Sequence, residues 1–287
     1  MGKSYQRYTL LAVLAHPDDE SFGLGGTLAY YAEKGVEMHL ICATRGEAGE
    51  VDSEHLEGYE SIGDLREAEL RCAAKHLGIH EIHFLGYRDS GMSGAAQGQH
   101  PDSLVCAPQE LVVRQVVGIV REVKPEVVIT FDPIGGYHHP DHVYMHEVAK
   151  RAFYRAGEPE YKTDSPPYVP EKLYYHIISK RYLRFRVRLL RFLGQDPSQW
   201  GKNKDIDLTA IIKEDFPVHA RIDVRRVEDK VKAASACHAS QSGSSLAGGF
   251  IKWLLKILGV RGKDLFMRAY PEPQAGEIER DLFAGLG

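Results

Sequence analysis

With 287 residues and a formal net charge of −4, the chain can bury one large α/β core and has no global attraction for nucleic acid or anionic lipid. Its four cysteines (Cys42, Cys72, Cys106, Cys237) are widely spaced with no C-x-x-C pair, which argues against a disulfide framework or a thiolate metal site and fits a reducing compartment. No apolar signal core precedes the first strand and no segment reaches transmembrane length, so a cytoplasmic protein without stable membrane insertion is expected.

Tyr8–Ala15 reads as a strand, Phe22–Lys34 as a helix, Val36–Ala43 as a second strand and Ile62–Leu77 as a second helix. That second helix is apolar at Leu65, Ala68, Leu70 and Ala73, and Gly78 stops it. Strand Glu81–Leu85, helix Pro108–Val123, strand Glu126–Phe131 and helix Asp141–Tyr154 follow. The rhythm predicts an α/β, Rossmann-like fold with a mainly parallel sheet and helices on both faces, spanning residues 1–157 as the catalytic core. Connections 45–60 and 87–107 are longer than α/β units need, which marks them as functional or mobile.

After residue 157 the character changes. A proline-rich stretch leads into strand Lys172–Ile178 and a smaller C-terminal α+β extension, 158–287, expected to complete a substrate pocket and to offer a surface for a homo-oligomer. The segment 180–192 places Arg181, Arg184, Arg188 and Arg191 on one helical face with Phe185, Leu189 and Phe192 beside them. The segment 250–260 is apolar apart from Lys252 and Lys256. Both are read as packing elements, the Arg face in water, in preference to a cationic surface for a membrane or an acidic partner.

Two stretches carry the chemistry. The first strand runs into His16-Pro17-Asp18-Asp19-Glu20, and Pro17 disfavours α geometry at His16, so the polar cluster sits in a tight loop at a strand's carboxyl end. Taken alone it could be a polar turn with a helix cap. Far down the chain, Asp132-Pro-Ile-Gly-Gly-Tyr137-His138-His139-Pro140-Asp141-His142 repeats the pattern after another apolar run. Two such loops converge if their strands are close in one sheet. His16, Asp19 and His142 would then give a catalytic zinc its three N/O ligands, with an open position for water, and leave Asp18 as a base.

Further blocks extend these motifs: Cys42-Ala-Thr-Arg-Gly46-Glu-Ala-Gly49-Glu50-Val51, Arg66-Glu-Ala-Glu69-Leu70, Leu85-Gly-Tyr-Arg88-Asp89-Ser90-Gly91-Met92, Ala220-Arg-Ile-Asp223-Val224 and His238-Ala-Ser240-Gln241. On all of them the chain resembles the LmbE-like or PIG-L-like zinc de-N-acetylases. These act on N-acetylglucosaminyl conjugates and include the mycothiol and bacillithiol pathway deacetylases and mycothiol S-conjugate amidase. The resemblance implies Zn²⁺ on His16, Asp19 and His142, Asp18 as general base and then acid, and a small-molecule amino-sugar conjugate as substrate. It further implies Tyr137 as the group that polarises the amide carbonyl, His139 as an electrostatic or proton-relay group, and Asp141 as its orienting partner. A histidine held by a carboxylate would stay cationic more easily. Glu50, Arg66 and Asp89 match positions that hold the substrate.

De-N-acetylation is the reading these residues support, with a conjugate amidase removing a larger acyl group as the alternative. A dinucleotide site is disfavoured, because seven residues separate the first strand from Gly23-Leu-Gly25-Gly26 and the second strand ends in Ala-Thr-Arg45 without an acidic residue. Those glycines are expected to let a helix approach the sheet. A non-catalytic carbohydrate-binding module would not need Asp18.

Overall fold

The computed structural model describes residues 5, 7–200, 206–241, 262–274 and 276–286. The first half alternates β1 (Thr9–Leu14), α1 (Asp19–Phe22), α2 (Gly25–Ala32), β2 (Glu37–Thr44), α3 (Ile62–Leu77), β3 (Glu81–Tyr87), α4 (Gln109–Val123), β4 (Val127–Phe131), the single turn α5 (Gly135–His138) and α6 (Pro140–Arg155). Then come β5 (Lys172–Ile177), α7 (Lys180–Phe192), α8 (Leu208–Ile211), β6 (Ala220–Asp223), α9 (Glu228–Cys237) and β7 (Lys263–Tyr270). Among the described residues, seven strands form one sheet in the order β3-β2-β1-β4-β5-β7-β6. The first five are parallel, while β7 runs antiparallel to both β5 and β6, so the C-terminal part builds onto the sheet's edge.

β1 is buried on both faces, as its unbroken apolar run requires. Leu10, Ala12 and Leu14 face a core shared with Leu28 of α2 and Leu70 of α3. Leu11 and Val13 face a second core shared with Val116 of α4 and Ala149 of α6. The helix α3 keeps its expected bounds: Gly78, its expected stop, ends it at φ 75°, and in the structure Ser61 caps its start by accepting the Asp64 N–H. The helix expected over Phe22–Lys34 is instead two, α1 and α2, divided where Leu24 takes φ −108° and ψ −3°, off the helical line. The close approach expected of the glycines is found at Gly26, where a Cβ would lie 2.6 Å from Val224.

In α7, Leu183, Val187 and Leu190 pack on Leu208 and Ile211, with Ile134 and Tyr137 against that cluster. Arg181, Arg184, Arg188 and Arg191 face solvent. Phe192, read beside the Arg face, is 86% exposed at the end of the helix. The segment 250–260 lies outside the described residues. The expectation against a disulfide is overturned: Cys72 and Cys237 form one joining α3 to α9, across 165 residues of sequence that hide the pairing. Among the described residues no helix is long and apolar enough to cross a membrane.

Candidate metal and catalytic site

The loops leaving β1 and β4 meet because these strands are neighbours at the point where the strand order reverses, the usual ligand crevice of an open α/β sheet. The β1 loop needs an unusual backbone. Asp18 sits at φ 116°, and although it occupies the cap position of α1 its side chain makes no capping bond. The reading of this cluster as a simple helix cap therefore fails. The β4 loop needs glycine at Gly135, which has φ 63° and where a Cβ would come within 2.6 Å of the His142 Cβ.

His16 Nδ1 lies 3.1 Å from His142 Nε2, His142 Nε2 lies 3.2 Å from Asp19 Oδ1, and Asp19 Oδ2 lies 3.7 Å from His16 Nδ1. Two ligands on a tetrahedral ion at about 2.05 Å stand about 3.3 Å apart, so the three groups fit one ion. The groups behind them point the same way. His142 Nδ1–H donates to the Gly135 carbonyl at 3.1 Å, leaving Nε2 as the inward lone pair. His16 Nε2 faces Asp141 Oδ2 at 3.1 Å and Asp89 Oδ1 at 3.4 Å, which in the neutral ring leaves Nδ1 inward. Asp19 is held by the backbone N–H groups of His16 (2.8 Å) and Ala15 (3.3 Å).

The electrostatics show what this arrangement attracts. Burial opposes a charge on His16, but Asp89 and Asp141 outweigh it and raise the ring's pKa well above the ordinary range. Burial likewise works against the Asp19 carboxylate, and His142 and His16 overcome it, so Asp19 is held well below its usual value. The cluster draws positive charge, either a proton or a metal ion in its place.

Asp18 differs. Burial and the neighbouring Asp19 push it up to about 6 against the pull of Arg66, whose Nη2 lies 3.0 Å from its Oδ2. Arg66, expected to contact substrate, is buried and also donates to the carbonyls of Gly46 (2.8 Å) and Pro17 (2.5 Å). Asp89, also expected at the substrate, is buried behind His16 and accepts the Gly91 N–H at 2.8 Å. Glu50 is exposed on the loop after β2.

Tyr137 and His139 sit against His142, with ring centroids 5.0 and 4.9 Å away. Burial, then Asp19, raises the Tyr137 pKa well above its normal value, so its hydroxyl keeps its proton. Asp141 meets His139 through its backbone, not its carboxylate: the Asp141 N–H donates to His139 Nδ1 at 3.2 Å, capping α6 with Pro140 in its first turn. Burial, His16 and His142 lower the His139 pKa to about 2, the reverse of the cationic state expected from a carboxylate partner. A neutral His139 with Nδ1 accepting carries its proton on Nε2. His138 is exposed at φ 66°.

Sequence reasoning gave no role to the pair that supports Asp18. Glu20, fully buried, accepts the Asp18 N–H through Oε2 at 2.9 Å, and its Oε1 lies 2.7 Å from His238 Nε2. The signal was the fifth residue of His-Pro-Asp-Asp-Glu, but its partner lies 218 residues away.

A Rossmann-like sheet with a His/Asp cluster of metal-binding geometry at its switch point, and a further carboxylate beside it paired with Arg66, has the parts that hydrolysis of an amide requires. The family profile described as PIG-L, GlcNAc-PI de-N-acetylase, matches residues 11–153. The chain is also 34% identical to the 1D-myo-inositol 2-acetamido-2-deoxy-alpha-D-glucopyranoside deacetylase of Rhodococcus jostii, over 97% of this chain and 98% of the relative. The chain belongs to the PIG-L de-N-acetylase family and is an amide-hydrolysing enzyme. Solved structures share the fold. The N,N'-diacetylchitobiose deacetylase of Pyrococcus horikoshii has a TM-score of 0.62 at 20% identity, over 91% of this chain and 83% of that one. The 4-carboxy-2-hydroxymuconate hydratase GalB of Pseudomonas putida has a TM-score of 0.60 at 19% identity, over 93% and 98%. A hydratase on the same fold means that the site's residues, and not the fold, carry the argument for the reaction.

Proposed function

We propose that this enzyme removes the acetyl group from the 2-acetamido nitrogen of a glucosaminyl conjugate whose aglycone is a polyol of the inositol type. His16, Asp19 and His142 would hold one zinc ion. The observation that carries this reading is their convergence to within 3.1–3.7 Å, with Asp18 beside them and held by Arg66. A bound zinc would supply Lewis acidity and bring the pKa of a water toward neutrality. Asp18, with its raised affinity for a proton, takes one from the attacking water and returns it to the leaving amine nitrogen. The Tyr137 hydroxyl and the His139 Nε2–H donate to the amide oxygen as charge develops on it.

Beside Gly136 opens a cavity of about 240 Å³ whose walls include Asp132, Lys180, Arg184, Glu214 and Asp215. These charged side chains, set among apolar ones such as Ile178 and Leu183, can hydrogen-bond the hydroxyls of a polyol aglycone, which supports the inositol-type assignment.

The test is release of a primary amine and acetate from a panel of N-acetylglucosaminyl compounds that includes the inositol conjugate. The expected result is highest kcat/KM on that conjugate, with turnover lost on chelation and restored by Zn²⁺. Metal-replete protein that releases amine from no member of the panel would overturn the reading.

A further inference from the structure

A second cluster of metal-binding character lies at the other end of the strands. In the parallel register of β2 and β3, His39 pairs with Glu81 and Ile41 with His83. Residues two apart on a strand share a face, so His39, Glu81 and His83 project together. His39 Nδ1 lies 3.1 Å from His83 Nε2. Glu81 Oε2 lies 3.7 Å from the first nitrogen and 3.8 Å from the second. These spacings bracket the roughly 3.3 Å of two ligands on a tetrahedral zinc, much as those of the catalytic cluster do.

The far side of His39 completes the comparison. Its Nε2 meets Glu37 Oε1 at 2.9 Å, so the proton of the neutral ring is held there and Nδ1 presents a lone pair toward His83. A carboxylate behind a histidine is the usual support of a metal-ligating imidazole. His39 is buried and the His83 side chain is 14% exposed, while Glu81 is 57% exposed, so the cluster is enclosed on one side and reachable by an ion from the other. From His39 to Thr44, at the strand end nearest the catalytic loops, the chain rises roughly 17 Å at about 3.3 Å per residue. The cluster is therefore separate from His16, Asp19 and His142.

We infer that His39, Glu81 and His83 form a second site for a divalent transition metal of the zinc class, which clamps edge strand β3 to β2. Two imidazoles and one carboxylate select zinc and its neighbours over calcium or magnesium, which prefer all-oxygen shells. Among the described residues β3 stands at the edge of the sheet with β2 as its strand partner, so a crosslink between their side chains restrains it where backbone pairing is one-sided.

The experiment is a Zn²⁺ titration of the purified full chain, followed by calorimetry with a competing chelator. The parent should take two equivalents, and His83→Ala and Glu81→Gln one each, with deacetylase kcat unchanged in both. Glu37→Gln should keep two, the second weakened about 10–100-fold as expected for loss of a supporting carboxylate. In a His142→Ala background, saturating Zn²⁺ should raise the melting temperature, and adding His83→Ala should abolish that rise. One equivalent in the parent, or a second equivalent that survives both His83→Ala and Glu81→Gln, overturns the inference. Because the readout is stoichiometry and melting with turnover retained, its failure leaves the catalytic reading untouched.

Discussion

Asp18 and Asp19 are adjacent and identical in composition, yet their surroundings shift their proton affinities in opposite directions. Asp19 is pinned as a carboxylate by two backbone N–H groups and His142, whereas Asp18, at a positive φ, has one strong cationic neighbour, Arg66. In metal-free protein Asp18 should titrate near pH 6, and Arg66→Met should raise that value because a stabilising cation is gone. Metal in the adjacent site acts with the opposite sign, so loading should lower the value. Carboxyl carbon NMR of the two forms checks both directions, and a metal-free value near 4 contradicts the account. Tyr137→Phe removes a donor aimed at developing charge and should lower kcat by ~10²–10³ with metal content unchanged. Parental kcat in that variant would make Tyr137 a packing residue for α7.

At the scale of elements, local signals were legible and distant pairings were not. Gly78 ended α3 where it was expected to, because a helix stop is decided within a few residues. The two His-Pro-Asp loops were legible as a site because each strand-end motif is local, and their meeting needed only β1 beside β4. Sequence could not show that a helix would bury Arg66 against Asp18 or that a loop would set Asp89 behind His16. The Asp141 carboxylate went to His16 for the same reason: Pro140 starts α6 so that the backbone, not the side chain, faces His139.

Gly135→Ala puts a side chain at φ 63° and into His142, so it should lower metal affinity more than it lowers the melting temperature; unchanged metal affinity contradicts the role of that turn. The Cys72–Cys237 bridge closes 165 residues, for which chain entropy gives about 5 kcal/mol as an upper figure. Denaturant unfolding with and without reductant should differ by ~2–5 kcal/mol, and coincident curves would mean that packing of α9 on α3 suffices without the bond.

Across the whole molecule, the sheet reverses its order between β1 and β4, and both polar loops open there, against a C-terminal part that packs Leu183 and its neighbours near Tyr137. Metal that binds the folded chain alone should stabilise it by about 4 kcal/mol at a thousandfold excess over Kd, so chelation should lower the melting temperature together with turnover. The central claim is a division of labour within one loop, with Asp19 holding the metal and Asp18 moving the proton. It is tested most directly by measuring bound zinc and kcat together on Asp19→Ala and Asp18→Asn. Asp19→Ala should lose one equivalent of zinc relative to the parent, and Asp18→Asn should lose none while kcat falls by ~10²–10⁴. Zinc lost from Asp18→Asn and retained by Asp19→Ala would reverse the two roles, and parental zinc and kcat in both variants would contradict the account.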